Sequence, residues 1–211
     1  QFVVDQWSVK KMIRRIVMSR TYRLASTGES LGWSTDPENR LIWRANRKRL
    51  TAEAIRDSIL SVSGQLSMQQ GGPTIRKFSQ YDLGYEFNTI RRSVYVPLFR
   101  NTLLEVFEVF DLANPNVSTG RRSETTLPTQ ALYMMNSPFV IAEAKRAGEH
   151  IAGLDAPNAD RVRLAYRLAL GREPTADEAG LALEFVGQTE AGAWAALAHS
   201  LFASVDFRTL D

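Results

Sequence analysis

Apolar positions open the chain with a helical rhythm. Val9, Met12, Ile13, Ile16 and Val17 recur at i, i+3, i+4, i+7 and i+8 and form one stripe. Lys10, Lys11, Arg14 and Arg15 fall on the other face, and Ser8 stands where a hydroxyl can accept a free N–H of the first turn. The pattern predicts an amphipathic helix here. A loop with Gly28, Gly32 and Pro37 follows, then a short apolar piece, Leu41-Ile42-Trp43. Ile55, Ile59, Val62 and Leu66 form a second stripe, predicting a helix from a Thr51 cap to near Ser63, with Gly64 at its end. From Gln69 to Asn88 the sequence is loop-like. Arg92-Ser93-Val94-Tyr95-Val96-Pro97-Leu98 alternates and is rich in β-branched residues, which makes it the strand candidate; Pro97 confines it to an edge or a lone extended segment. Asn101 or Thr102 then opens a short helix bearing Leu103, Leu104, Val106, Phe107 and Phe110.

The main irregular segment runs from Ala113 to Thr129, and beyond it helical signals dominate. Ser137-Pro138 is an N-cap and first-turn pair. Helices are expected over about 138–152 and 158–170, the latter stopped by Gly171. Thr175 and Glu178 have capping-box spacing for the next, which runs to about Gly187. Trp194, Leu197, Ala198, Leu201 and Phe202 mark the last helix. The expected class is mainly α: an irregular helical domain with long loops and at most a short extended segment near 92–98. A basic helical core over 1–155 and a three-helix subdomain over 156–211 divide near Asp155-Ala156-Pro157-Asn158, or form one continuous domain.

Composition narrows the class without naming a function. The 211 residues are 44 % apolar and 23 % charged, with a mean hydropathy of −0.22, the profile of an ordinary globular chain. No run approaches the roughly 18 apolar residues of a membrane span, and the first residues lack the pattern of a signal peptide. The chain begins without methionine, directly upstream of a strong helix pattern, as expected of a piece of a longer protein. Cysteine is absent, which excludes disulfides, thiolate metal sites and cysteine nucleophiles. The net charge of +3 conceals an asymmetry: Gln1–Thr126 holds 19 basic and 12 acidic residues, whereas Leu127–Asp211 holds 7 and 11.

Catalytic patterns are missing. His150 and His199 are the only histidines, each alone on an expected helix, where local packing or capping suits His199 better than metal ligation. There is no GxSxG elbow, and Gly71-Gly72 precedes proline instead of a phosphate-loop lysine. Paired acids such as Glu105/Glu108 and Asp177/Glu178 read as helix-surface carboxylates. One constellation stands out. Arg91, Arg92 and Arg100 bracket the extended segment, and Arg121 and Arg122 lie in the long loop beside Thr125 and Thr126. Guanidinium forks among hydroxyls can bind an anion or a partner; alternatively they anchor the loop through its carbonyls and Glu124.

Several phrases carry a family resemblance. They are Trp7-Ser8-Val9-Lys10-Lys11, Asp36-Pro37-Glu38-Asn39-Arg40-Leu41-Ile42-Trp43-Arg44, Arg47-Lys48-Arg49-Leu50-Thr51-Ala52-Glu53, Ser118-Thr119-Gly120-Arg121-Arg122, Thr125-Thr126-Leu127-Pro128-Thr129-Gln130 and Asn136-Ser137-Pro138-Phe139. Together they resemble the planctomycete-specific C-terminal domain of unknown function found in exported proteins with a cytochrome-c-like domain. The resemblance implies an exported, periplasmic or cell-surface parent whose haem, if any, is held upstream; no cofactor is expected in this segment, and no catalytic residue carries over.

The leading expectation is a non-catalytic helical interaction module that docks upstream domains of its own polypeptide or a protein partner through its basic part. Part of an enzyme acting on sulfated or acidic polysaccharide is the alternative. Nucleic-acid binding comes third, since no helix-turn-helix, zinc finger or aromatic RNA-binding pattern is present. No membrane insertion is expected.

Overall fold

The computed structural model describes residues 1–26, 32–75, 85–188 and 192–210. Gly28 of the first expected loop and residues 76–84 of the second lie outside the described residues. The chain is mainly α-helical, and it divides into two compact units, Gln1–Arg49 with Thr209–Asp211, and Leu50–Arg208.

The first unit holds α1 (Val9–Met18), the short α2 (Gly32–Thr35) and a two-residue antiparallel ladder of β1 (Lys48–Arg49) with β2 (Thr209–Leu210). α1 forms where its stripe predicts, with the Ser8 hydroxyl accepting the Lys11 N–H. None of its residues is buried. Downstream, the Trp33 and Trp43 rings meet edge to face at 5.2 Å, with the Arg44 guanidinium 4.5 Å from the centre of the Trp33 ring. Asp36 accepts the backbone N–H groups of Arg40 and Leu41, while the Asn39 amide donates to the Arg44 carbonyl. The Asp36–Arg44 phrase is thus a local knot that spends its polar groups on itself.

The second unit contains α3 (Ala52–Val62), α4 (Glu105–Val109), α5 (Pro128–Asn136), α6 (Pro138–Ala152), α7 (Asn158–Leu170), α8 (Ala176–Gln188) and α9 (Ala193–Ala203). The Thr51 hydroxyl caps α3 by accepting the Ala54 N–H. Two buried clusters share its helices. Ile55, Ile59, Val106, Phe107, Phe110, Met134, Val140, Ala144 and Phe202 build the first, drawing on α3 to α6 and α9. Ile151, Val162, Ala165, Val186, Leu197 and Leu201 build the second, drawing on α6 to α9. α6 and α9 therefore serve both, and they approach closely because position 148 lacks a side chain. A Cβ on Gly148 would sit 2.3 Å from the Ala195 nitrogen. α7 ends at Gly171 in the left-handed conformation (φ 68°), and Thr175 and Glu178 exchange the two hydrogen bonds of a capping box at the start of α8.

Two local expectations change. The alternating segment 92–98 is not a strand: Ser93–Tyr95 is a 3₁₀ turn between extended Arg92 and Val96. The Asp57 carboxylate accepts both the Ser93 N–H (2.8 Å) and its hydroxyl (2.7 Å), so the segment is pinned to α3 instead of to a neighbouring strand. The helix expected from 101 or 102 begins only at Glu105, after an extended Leu104.

Candidate functional site

α3 organises the polar chemistry of the second unit. Its buried stripe is two columns wide, and the column Ala52, Arg56, Leu60 contains a cation. Arg56 is only 2 % exposed. One of its terminal nitrogens donates to the Arg91 carbonyl (2.9 Å) and the Ser93 hydroxyl (3.3 Å), and the other to the Thr89 carbonyl. Burial pulls its pKa below the ordinary guanidinium value, and adjacent Asp57 opposes that. Its bonds fix the non-helical chain from 89 to 93 against α3.

The arginines singled out from the sequence part company around this hub. Arg91 donates to the carbonyls of Gly71, Gln69 (3.4 Å) and Pro73 (3.3 Å) and lies over the Tyr95 ring at 3.9 Å. The Tyr95 hydroxyl accepts the Gly71 N–H, so this pair ties down the loop at 69–73. Arg122 donates to both carboxylate oxygens of Glu53, at 2.8 and 2.9 Å. Burial pushes the Glu53 carboxyl up, but its backbone hydrogen bond and Arg122 carry it below the usual range. Arg92 joins Arg122 in lining an open cavity of about 520 Å³, together with Thr51, Glu53, Asp57 and Ser93. Its two cations thus face two carboxylates. Arg100, Arg121 and Thr126 are exposed and do not line that cavity. Thr125 donates its N–H (2.8 Å) and hydroxyl to Asp111, the Gln130 amide donates to the Thr125 carbonyl, and the Asn116 amide donates to the Arg100 carbonyl. The long loop is held by Asp111, Gln130 and Glu53, with Glu53, 69 residues away, taking the partnership considered for Glu124.

A second cavity, of about 320 Å³, is lined by Arg56. Leu60, Phe87, Ile90, Leu104 and Phe139 give it apolar walls, and Tyr133 and Glu143 are buried at its lining. Glu143 is satisfied internally, accepting the Ser63 hydroxyl at 2.5 Å and a guanidinium nitrogen of Arg146. Burial raises the Tyr133 phenol above its ordinary value, so it stays protonated at neutral pH. Sequence reasoning passed over Arg56 and Glu143. The available signal was position: each sits in an apolar helical column (Ala52–Leu60 and Val140–Ala147) where a solvated charge does not belong.

Among the described residues, no three or more metal-ligating side chains converge. His199 shares a hydrogen bond with the Met134 carbonyl (3.0 Å), a packing contact.

The most unusual surface lies on α1. Val9, Ile13 and Ile16 are at least half exposed, and Met12 and Val17 more than a third, although all five occupy one face. Val3, Val4 and Trp7 extend this apolar surface before the helix, with the Trp7 ring edge-on to Phe2 at 5.3 Å. Lys10 and Arg14 stand along one edge of it and Lys11 behind it, while Arg15, on the other edge, is paired with Asp5 at 2.6 Å. Such a face can dock into an apolar groove with an acidic rim.

No curated protein and no solved structure matches the chain. A family model described as PSD1, a protein of unknown function (DUF1553), matches residues 1–186. The chain belongs to that family.

Proposed function

We propose that the chain is a non-catalytic docking module that presents α1 to an apolar, acidic-rimmed surface of a protein partner. The observation that carries this is the uncovered stripe of α1. A helix with a five-residue apolar stripe normally buries that face, and here none of the five stripe residues is buried. Charge selects the partner: residues 1–23 hold six basic side chains against the single acid Asp5. The arginines of the second unit support the reading indirectly, because Arg91 and Arg122 are spent on holding loops in place. The resemblance to the planctomycete-specific domain supports placing the module in a larger exported, cytochrome-c-associated protein.

The calcium-loaded C-terminal lobe of calmodulin is a suitable probe, since its apolar groove takes basic amphipathic helices. Fluorescence titration should show binding by the wild-type chain and at least about ten-fold weaker binding by Ile13→Glu, a loss of about 1.4 kcal/mol. Equal affinities, or no binding by either protein, would remove the docking role. Recovery on phosphatidylglycerol vesicles with no binding to the lobe would overturn the protein partner in favour of a lipid surface.

A further inference from the structure

The second unit carries a surface that is complementary to α1. α8 exposes Leu181 (69 %) and Phe185 (41 %), four residues apart and therefore on one face. Between α8 and α9 runs an open groove of about 290 Å³, where Leu181, Ala182 and Phe185 face Ala196, Leu197 and Ser200. On the α9 side Ala196 and Ser200 are small and Leu197 is buried, so the groove has one high ridge, Leu181–Phe185, and one low wall. The α1 stripe has the matching relief. Val9, Ile13 and Val17 form one i±4 ridge, and Met12 and Ile16 form a second beside it. Ridges of that kind seat in a groove between two others.

Electrostatics agree with the shapes. Among the described residues, no lysine or arginine lines the groove. Asp177 and Glu184 are exposed on α8 around the Leu181–Phe185 face. Glu178, at the groove's end, is bound to Arg172 through two 2.8 Å hydrogen bonds and keeps its charge. Lys10 and Arg14 border one edge of the α1 stripe and Lys11 lies on the opposite face; none of the three has a partner among the described residues. The two faces come from regions of opposite net charge, 19 basic against 12 acidic residues up to Thr126 and 7 against 11 after it.

We infer that the protein partner of α1 is a second copy of this chain, bound at the groove between α8 and α9. This rests on the docking role proposed above and names its occupant. The contact is heterologous, joining two different patches, and closes at two copies when each chain's α1 sits in the other's groove. One helix seated in one groove belongs with small, weak interfaces, so the association should have a Kd of about 10–100 µM per contact. It should weaken with added salt, because its rim is charged.

Sedimentation velocity from about 0.05 to 300 µM tests this, since a dimer closed by two such contacts holds together below the Kd of either one. Wild-type protein should move from monomer to dimer across that range. Ile13→Glu, which damages only α1, and Leu181→Lys, which damages only the groove at a largely exposed position, should each associate at least about ten-fold more weakly. Circular dichroism confirms that both variants are folded. An equimolar mixture of the two should regain a one-to-one complex, because the intact α1 of Leu181→Lys meets the intact groove of Ile13→Glu. A wild-type chain that stays monomeric throughout, an association unmoved by either substitution, or a mixture that stays monomeric overturns the inference. If the monomeric chain still binds the calmodulin lobe through α1, the docking role stands and only the second copy fails as its partner; if it binds neither, both fail.

Discussion

Replacing Gly148 by alanine tests whether the α6–α9 contact governs the second unit. The new Cβ would lie 2.3 Å from the Ala195 nitrogen, 2.5 Å from its Cα and 2.6 Å from the Trp194 carbonyl carbon. All three are backbone atoms, so no rotamer change relieves the clash. The helices must separate by about 1 Å to reach ordinary contact, and interiors are packed too tightly to absorb that locally. Opening this seam loosens Ala144 and Phe202 in one cluster and Ile151 and Leu201 in the other. Overpacking typically costs about 1–3 kcal/mol and sometimes more. The better helix propensity of alanine returns about 1 kcal/mol. A clash with backbone across two clusters belongs at the upper end, giving a net loss of about 2–3 kcal/mol. At about 2–4 °C per kcal/mol for a chain of this size, Tm falls by roughly 5–10 °C. Gly180→Ala is the control: it also lies inside a helix, but nothing stands within 4 Å of its new Cβ. That variant should gain up to about 1 kcal/mol. Urea unfolding followed by far-ultraviolet circular dichroism compares the two directly. If Gly148→Ala lies within about 0.5 kcal/mol of wild type, the seam is looser than the geometry requires and the reasoning fails.

Arg56→Met keeps most of the side chain's volume but leaves the Thr89 and Arg91 carbonyls without their donor; a loss of about 3 kcal/mol is expected in thermal melts. Glu178 titrates at about 2 instead of the ordinary 4.5, first because Arg172 donates to it and further because of the Thr175 N–H and hydroxyl. Its folded value is depressed, so its contribution is complete above about pH 5 and drains away as pH falls toward 2. With the carboxylate 31 % exposed, solvent screening leaves about 1–2 kcal/mol of that contribution. Glu178→Gln should therefore lower the urea midpoint at pH 7 and leave it nearly unchanged at pH 2, where wild type has lost the same amount. Ile13→Glu should shift stability by less than about 0.5 kcal/mol, since position 13 is already 55 % exposed.

Periodicity and caps made most of the helices legible. Thr51, Gly171 and the Thr175–Glu178 box act locally, and the structure places each where its neighbours in sequence require. What escaped was set by contacts distant in sequence. The alternation at 92–98 reads as a strand only until Asp57, 36 residues earlier, takes the Ser93 N–H. Likewise Arg122 reads as a free loop cation until Glu53 comes to meet it. Clustering in sequence gathered these arginines into one candidate site; the fold sends Arg91 to the 69–73 loop and Arg122 to α3, and it buries Arg56, which no cluster marked.

α1 exposes the complementary weakness of pattern reading. Its stripe states which face is apolar, and the Ser8 cap states where the helix begins. Neither says what covers the face, because periodicity describes a helix and not its environment. For α3 the same kind of stripe leads to Ile55 and Ile59, both fully buried. For α1 it leads to Ile13 and Ile16, both at least half exposed. The difference between them cannot come from helix propensity, since both form with a hydroxyl cap and a regular repeat. It lies in the company each stripe keeps: α3 meets α4, α6 and their aromatic side chains within its own unit, whereas α1 carries Lys10 and Arg14 along one edge of an apolar face that its own unit does not bury. A basic border suits an acidic rim on another molecule better than a core, and that is the physical ground for the docking role proposed for α1.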